Sequence, residues 1–244
     1  MRRGKVLFAA VLLCVIPFTL VNAQRAAGTF SIGGFGGVGM PMGPEFFKDF
    51  LKMGIGFGGE FKYNFTEMTS FAASFTYQPF KLDEDKIIEE VTEGEEIPEG
   101  MEITVEGGTL KMSIISANLI QYFTPPEASA GFYVTAGGGY YTTKIADAKL
   151  KWAYMGESDE MELWKEEDWK PENGFGLDKS GFGINGGLGL EMRLGTNMFL
   201  FAEGKYHYTF VEINAIDEEM KEDVKKEFGK LSFITIMGGV RFSP

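Results

Sequence analysis

The stretch Gly54-Ile55-Gly56-Phe57-Gly58-Gly59-Glu60-Phe61-Lys62-Tyr63-Asn64-Phe65 decides the fold class. Ile55, Phe57, Phe61, Tyr63 and Phe65 fall on one side of an extended chain, and Gly54, Gly56, Gly58, Glu60, Lys62 and Asn64 on the other. A period of two, with one apolar face and one polar or empty face, is strand geometry.

The same alternation recurs outward in both directions. The pattern predicts eight strands, at about 28–40, 54–65, 70–80, 109–123, 131–145, 180–194, 198–213 and 231–242. In the sixth, Phe182, Ile184, Leu188, Leu190, Met192 and Leu194 oppose Gly183, Asn185, Gly187, Gly189, Glu191 and Arg193. In the seventh, Leu200, Ala202, Tyr206, Tyr208 and Phe210 oppose Glu203, Lys205, His207 and Thr209. The fourth strand has no assigned facing, because Ile114-Ile115 and Leu119-Ile120 break its alternation.

Connections alternate in length. Short turns follow strands two, four and six, at Thr66–Thr69, around Pro125-Pro126, and at Gly195-Thr196-Asn197. Long connections occupy 41–53, 81–107, 146–179 and 214–230, and hold 29 of the 35 Asp and Glu residues. Helical character is expected only around Phe46–Leu51 and Ile216–Phe228. Acid confined to one set of loops places those loops in water and the strands elsewhere.

The first 23 residues have the form of a cleavable leader: Arg2, Arg3 and Lys5, an apolar run from Val6 to Leu20, then Val21-Asn22-Ala23 before Gln24. That run is shorter than the roughly 20 residues of a spanning helix. The domains expected are therefore a signal peptide, 1–23, and a single barrel domain, 24–244. The one cysteine, Cys14, lies inside the leader. Without the leader the chain carries 20 Lys and Arg against the 35 acids, a charge of −15. Such a balance argues against nucleic acid as a partner.

Which face is outermost fixes the class. A soluble eight-stranded barrel has an apolar interior and a polar exterior. Here the apolar face is continuous and rich in Phe, Tyr and Met, as contact with lipid requires. The other face is mostly Gly, Ser, Thr and Asn with several charges, and those charges would be costly in an apolar cavity. The expectation is an all-β, closed, eight-stranded antiparallel up-and-down transmembrane barrel, with short periplasmic turns and long acidic extracellular loops.

Gly33-Gly34-Phe35-Gly36-Gly37, Phe199-Leu200-Phe201-Ala202-Glu203-Gly204-Lys205-Tyr206 and the ending Gly238-Gly239-Val240-Arg241-Phe242 carry a family resemblance. With the leader, they resemble the eight-stranded outer-membrane β-barrel group related to opacity porins and outer-membrane protein A. The resemblance implies residence in the outer membrane of a diderm bacterium, contact with outer-membrane lipid, and insertion by the outer-membrane assembly machinery. That machinery reads an aromatic C-terminal signal; here Phe242 is followed by Ser243-Pro244.

The candidate site is a set of lumen charges: Glu60, Lys62, Glu191, Arg193, Glu203, Lys205 and Arg241, joined by His207. They are expected to pair across neighbouring strands, mostly in the periplasmic half, as a structural network. A narrow passive channel, porin-like, for ions or small solutes is the alternative. An eight-stranded interior leaves little room for water, which favours the network.

His207 is the sole histidine, so no multi-histidine metal site can form. His207-Tyr208-Thr209, with Glu212 nearby, superficially resembles the His-x-Ser pair of outer-membrane lipid A deacylases. Thr stands in place of Ser, however, and both side chains point to the lumen. Asp83-Glu84-Asp85 and Ser158-Asp159-Glu160 lack the spacing of a dedicated Ca²⁺ loop, leaving weak, nonspecific binding of divalent cations. Trp152, Trp164 and Trp169 are candidates for contact with a partner or the membrane surface, while Asn64-Phe65-Thr66 matches a glycosylation triplet without a plausible acceptor context. No enzyme, cofactor or defined metal site is expected; the role is structural or one of surface interaction.

Overall fold

The computed structural model describes residues 25–92, 101–146, 148–155, 161–169, 179–212 and 230–244. Among them are strands β1 (Phe30–Gly43), β2 (Gly54–Asn64), β3 (Thr69–Lys81), β4 (Met101–Gly107), β5 (Thr109–Tyr122) and β6 (Ala130–Ile145). These are followed by β7 (Ala148–Met155), β8 (Met161–Trp169), β9 (Ser180–Arg193), β10 (Met198–Glu212) and β11 (Lys230–Phe242). Two helices, α1 (Glu45–Phe50) and α2 (Glu84–Val91), lie between strands. No described helix is long and apolar enough to cross a membrane.

Eight strands close a barrel in the order β1-β2-β3-β5-β6-β9-β10-β11, with β11 pairing back to β1. Each pairing is antiparallel, so every edge is hydrogen-bonded to another. The strands run 11 to 16 residues, enough to cross the hydrocarbon layer at a tilt.

The period-two pattern sorts as expected. Ile55, Phe57, Phe182, Leu188 and Ile236 project outward and are more than half exposed, while Glu60, Lys62, Asn185, Glu191 and Thr235 are buried inside. This is the facing of a membrane-spanning barrel, not of a soluble one. The unassigned strand also resolves: Ile115 and Leu119 face out at 65% and 59% exposure, whereas Ile114 and Ile120 face in at 1%. The alternation looks broken in the sequence because both faces of β5 are apolar.

The long connections contain more structure than the sequence suggests. α1 falls where a helical turn is expected, but α2 and β4 lie in a stretch that reads as an acidic loop, and β7 and β8 in another. β4 leaves β5 at Gly107 and Gly108, whose φ values of +92° and +65° suit residues without a Cβ. Past this bend β4 pairs with β7, extending the β5–β6 ribbon beyond the barrel, and β8 completes a three-stranded sheet. The expected helix over 216–228 lies outside the described residues, as do Ser158, Asp159 and Glu160. Trp152, Trp164 and Trp169 are placed on β7 and β8.

Candidate functional site: a lumen closed at two levels

At the short-turn end a charged cluster spans the interior. Arg241 of β11 sits opposite Gly33 of β1, and Gly33 in turn sits opposite Glu60 of β2. A Cβ on Gly33 would lie 2.7 Å from the Val240 carbonyl and 3.0 Å from Arg241 Cγ. The bare glycine lets the guanidinium pass over β1, where its Nε donates to Glu60 Oε1.

A second guanidinium nitrogen donates across the interior to Glu191 Oε2 on β9. Lys62 Nζ donates to the same oxygen at 2.7 Å and to the Tyr122 hydroxyl at 2.8 Å, and that hydroxyl donates to Glu191 Oε1 at 3.0 Å. The Arg241 guanidinium also lies 3.8 Å from the centroid of the Phe201 ring. Two cations face two carboxylates, and Glu191 accepts from three donors. Multiple donors to a carboxylate make an enclosed ionic cluster tolerable, although one guanidinium nitrogen of Arg241 is buried without a hydrogen-bond partner among the described residues.

Beneath this cluster a cavity of about 170 Å³ opens at the short-turn end, lined in part by Lys62, Glu191 and Arg193. Arg193 faces inward as expected but does not join the cluster. Its guanidinium donates to the Gly195 and Thr196 carbonyls, bracing the tight turn between β9 and β10. Sequence reasoning missed Arg25, which donates to the Glu67, Thr124 and Pro125 carbonyls and lies 4.0 Å over the Tyr122 ring. It ties two short turns together from outside the strand pattern, where no periodicity marks it.

Midway along the barrel, Glu203 and Lys205 pair at 2.6 Å. This corrects the expectation of cross-strand pairing, since both belong to β10 and are two residues apart. With Glu60 and His207 they border a cavity of about 20 Å³, room for roughly one water. His207 is buried: its Nδ1 is 3.0 Å from the Tyr141 hydroxyl, its Nε2 3.1 Å from Thr235 Oγ1, and its ring stacks on Phe233 with centroids 4.5 Å apart. Thr209 is fully buried. Neither residue meets lipid, so the deacylase-like pair is not assembled. No group of three or more His, Cys, Asp or Glu suited to a metal occurs among the described residues.

The long-loop end is closed differently. Phe47 of α1, Ile87 of α2, and Ile103 and Val105 of β4 bury themselves against inward Phe80, Leu110, Met112 and Phe233. Phe47 packs edge-on to Phe80 at 5.2 Å, and Phe80 to Phe233 at 5.7 Å. Leu51 and Leu82 form a bridge that holds the α1 and α2 segments side by side, reinforced by Lys52 Nζ at 3.1 Å from Asp83. Asp83 hydrogen-bonded to Lys52 raises the lysine pKa above its ordinary value. Inward Leu231 and Phe233 were a signal of this plug, because they break the polar character of the lumen face.

The fold is therefore a closed eight-stranded antiparallel barrel of the membrane-spanning kind. Solved structures similar to it include a major outer membrane protein from Thermus thermophilus, at 9% identity and TM-score 0.48, covering 88% of this chain and 99% of that one. Neisserial surface protein A matches at 12% identity and TM-score 0.44, over 87% and 96% of the two chains. Ail, the attachment invasion locus protein of Yersinia pestis, matches at 15% identity and TM-score 0.37, over 88% and 99%. No family model matches the chain, and no curated protein does.

Proposed function

We propose that this protein is a non-catalytic integral outer-membrane barrel, a sealed anchor that carries acidic loops on the cell exterior. The observation that carries the reading is the double closure of the lumen. Phe47, Phe80 and Phe233 fill one end, Arg241, Glu60, Glu191 and Lys62 bridge the other, and a cavity between them, bordered by Glu203, Lys205 and His207, holds about 20 Å³. Ions need a continuous hydrated path, and neither an aromatic plug nor a cross-linked charge cluster supplies one. Rigid barrels with long loops suit display and contact at a surface. The leader at 1–23, insertion by the assembly machinery and weak loop binding of divalent cations belong to the same reading.

Planar bilayers test it. The purified chain should give no discrete conductance steps; steady unitary current would make the lumen a channel. Orientation is tested with single cysteines, since the chain after Ala23 has none. An impermeant thiol reagent should label intact cells at Glu95→Cys or Glu167→Cys, and not at Thr196→Cys.

A further inference from the structure

We infer that the barrel carries, on one side of its long-loop rim, a binding surface for a phosphate-bearing lipid headgroup. The inference rests on the membrane placement proposed above. Phe75, Ile115, Tyr140 and Phe182 are successive cross-strand neighbours on the outer face and form the top of the apolar band there. One outward step toward the loops, the row becomes hydroxylic: Ser113, Thr142 and Ser180. One step further, Lys111 of β5 stands directly opposite Lys144 of β6. Lys81, two residues beyond the partner of Lys111 on β3, completes an exposed trio.

Like charges facing each other across a ladder destabilise it. Proteins usually offset this with a carboxylate, yet no carboxylate forms an ion pair with these three lysines among the described residues. The trio also stands only two rows above lipid-facing rings, with the hydroxylic row between them. Lysine stems can lie along such a surface while the ammonium groups remain at the headgroup level. An anionic oxygen cluster held there would receive two or three ammonium donors from above and hydroxyl donors from below. On the adjoining β1–β2 side of the rim, Met42, Met53 and Ile55 instead carry exposed apolar surface up to the connections.

The charge of the whole chain sharpens the point. Acidic loops are repelled by an anionic leaflet, and three lysines at the boundary reverse that repulsion locally. Each lysine near an anionic membrane surface is worth about 1 kcal/mol, roughly fivefold in affinity.

The test uses the full chain in a nonionic detergent, with lipid binding followed by native mass spectrometry. The probes are a bisphosphorylated diglucosamine lipid, its dephosphorylated counterpart and inorganic phosphate. The phosphorylated lipid should bind at least roughly tenfold tighter than the dephosphorylated one, given two or more lysines engaged. Lys111→Gln with Lys144→Gln should weaken it roughly 30-fold, and Lys81→Gln roughly fivefold, on the same scale. Millimolar inorganic phosphate should not displace it. Equal binding of both lipids, or no loss in the double variant, overturns the inference; displacement by phosphate alone makes the site one for a free anion and overturns the lipid assignment. The double variant should unfold in lipid-free detergent no earlier than the parent, because it loses a repulsion. A chain that embeds in neutral bilayers without the lipid preference refutes this site alone, whereas failure to embed refutes the membrane reading.

Discussion

The two ends of the lumen are closed by opposite chemistry. Phe233 and Arg241 stand eight residues apart on β11, about 27 Å along the strand. Around the first, aromatic and aliphatic side chains from two helices and a loop strand pile onto the barrel wall. Around the second, four ionised groups from three strands and one tyrosine are bonded to each other. An apolar plug is a sum of many small contacts, and losing one leaves the others in place. A charge cluster is closer to all-or-none, since removing one member strands its partners. The difference teaches that the long-loop end tolerates change gradually and the short-turn end does not.

The largest expected effect is at Arg241. Arg241→Ala leaves Glu60 and Glu191 with Lys62 alone, and should cost about 3–5 kcal/mol, read as a lower urea midpoint in micelles. The adjoining 170 Å³ cavity admits water and moves the value toward the lower limit. Glu191→Ala combined with Arg241→Ala should be less than additive, because the two changes remove one shared contact. Additive losses would mean that the charges act independently and the contrast between the ends fails.

Phe80→Ala should come next, at about 3 kcal/mol by cavity formation. Combined with Arg241→Ala it should be additive within about 0.5 kcal/mol, as expected for distant sites. Coupling beyond that would show that the two closures communicate. Gly33→Val should cost about 1–3 kcal/mol through overpacking against Val240 and Arg241. Equal stability at Gly33 would mean that Arg241 reaches Glu60 by another route.

The smallest effect is at Lys52, which is about half exposed beside Asp83. Lys52→Gln should lower stability by no more than about 0.5 kcal/mol, since solvent screens such pairs. Its pKa is raised in the folded chain, so its contribution is complete below the unfolded lysine value. That contribution fades as pH rises through the higher folded one. Unfolding at alkaline pH should therefore narrow the gap between parent and variant; a gap that widens would reverse the assignment.

The barrel was legible because its signal is local: alternation at Gly54–Phe65 depends on nothing outside the strand. The reach of Arg241 to Glu60 and Glu191 was legible for the same reason, as inward facing at the same depth leaves few partners. What escaped depends on tertiary destination. Phe47 and Ile87 sit in connections between strands, and only the folded barrel shows that they turn into its mouth. β4 did carry a strand pattern, with Ile103 and Val105 between Glu102, Thr104 and Glu106, but it lay within an acidic stretch that outweighed it. Arg25 had no pattern at all, since its partners are main-chain carbonyls 42 to 100 residues away.

The bond from Arg241 to Glu60 joins residues 181 apart in the chain and steps across β1. It can form only after the last strand has docked on the first. Until then Arg241 has Glu191 of β9 as its carboxylate partner, and Glu60 on β2 lacks its guanidinium. The contact is thus a clasp at the seam: it rewards completion of the cylinder and nothing short of it, and a barrel left open between β1 and β11 is marked by a bare carboxylate on β2 where a finished one has none.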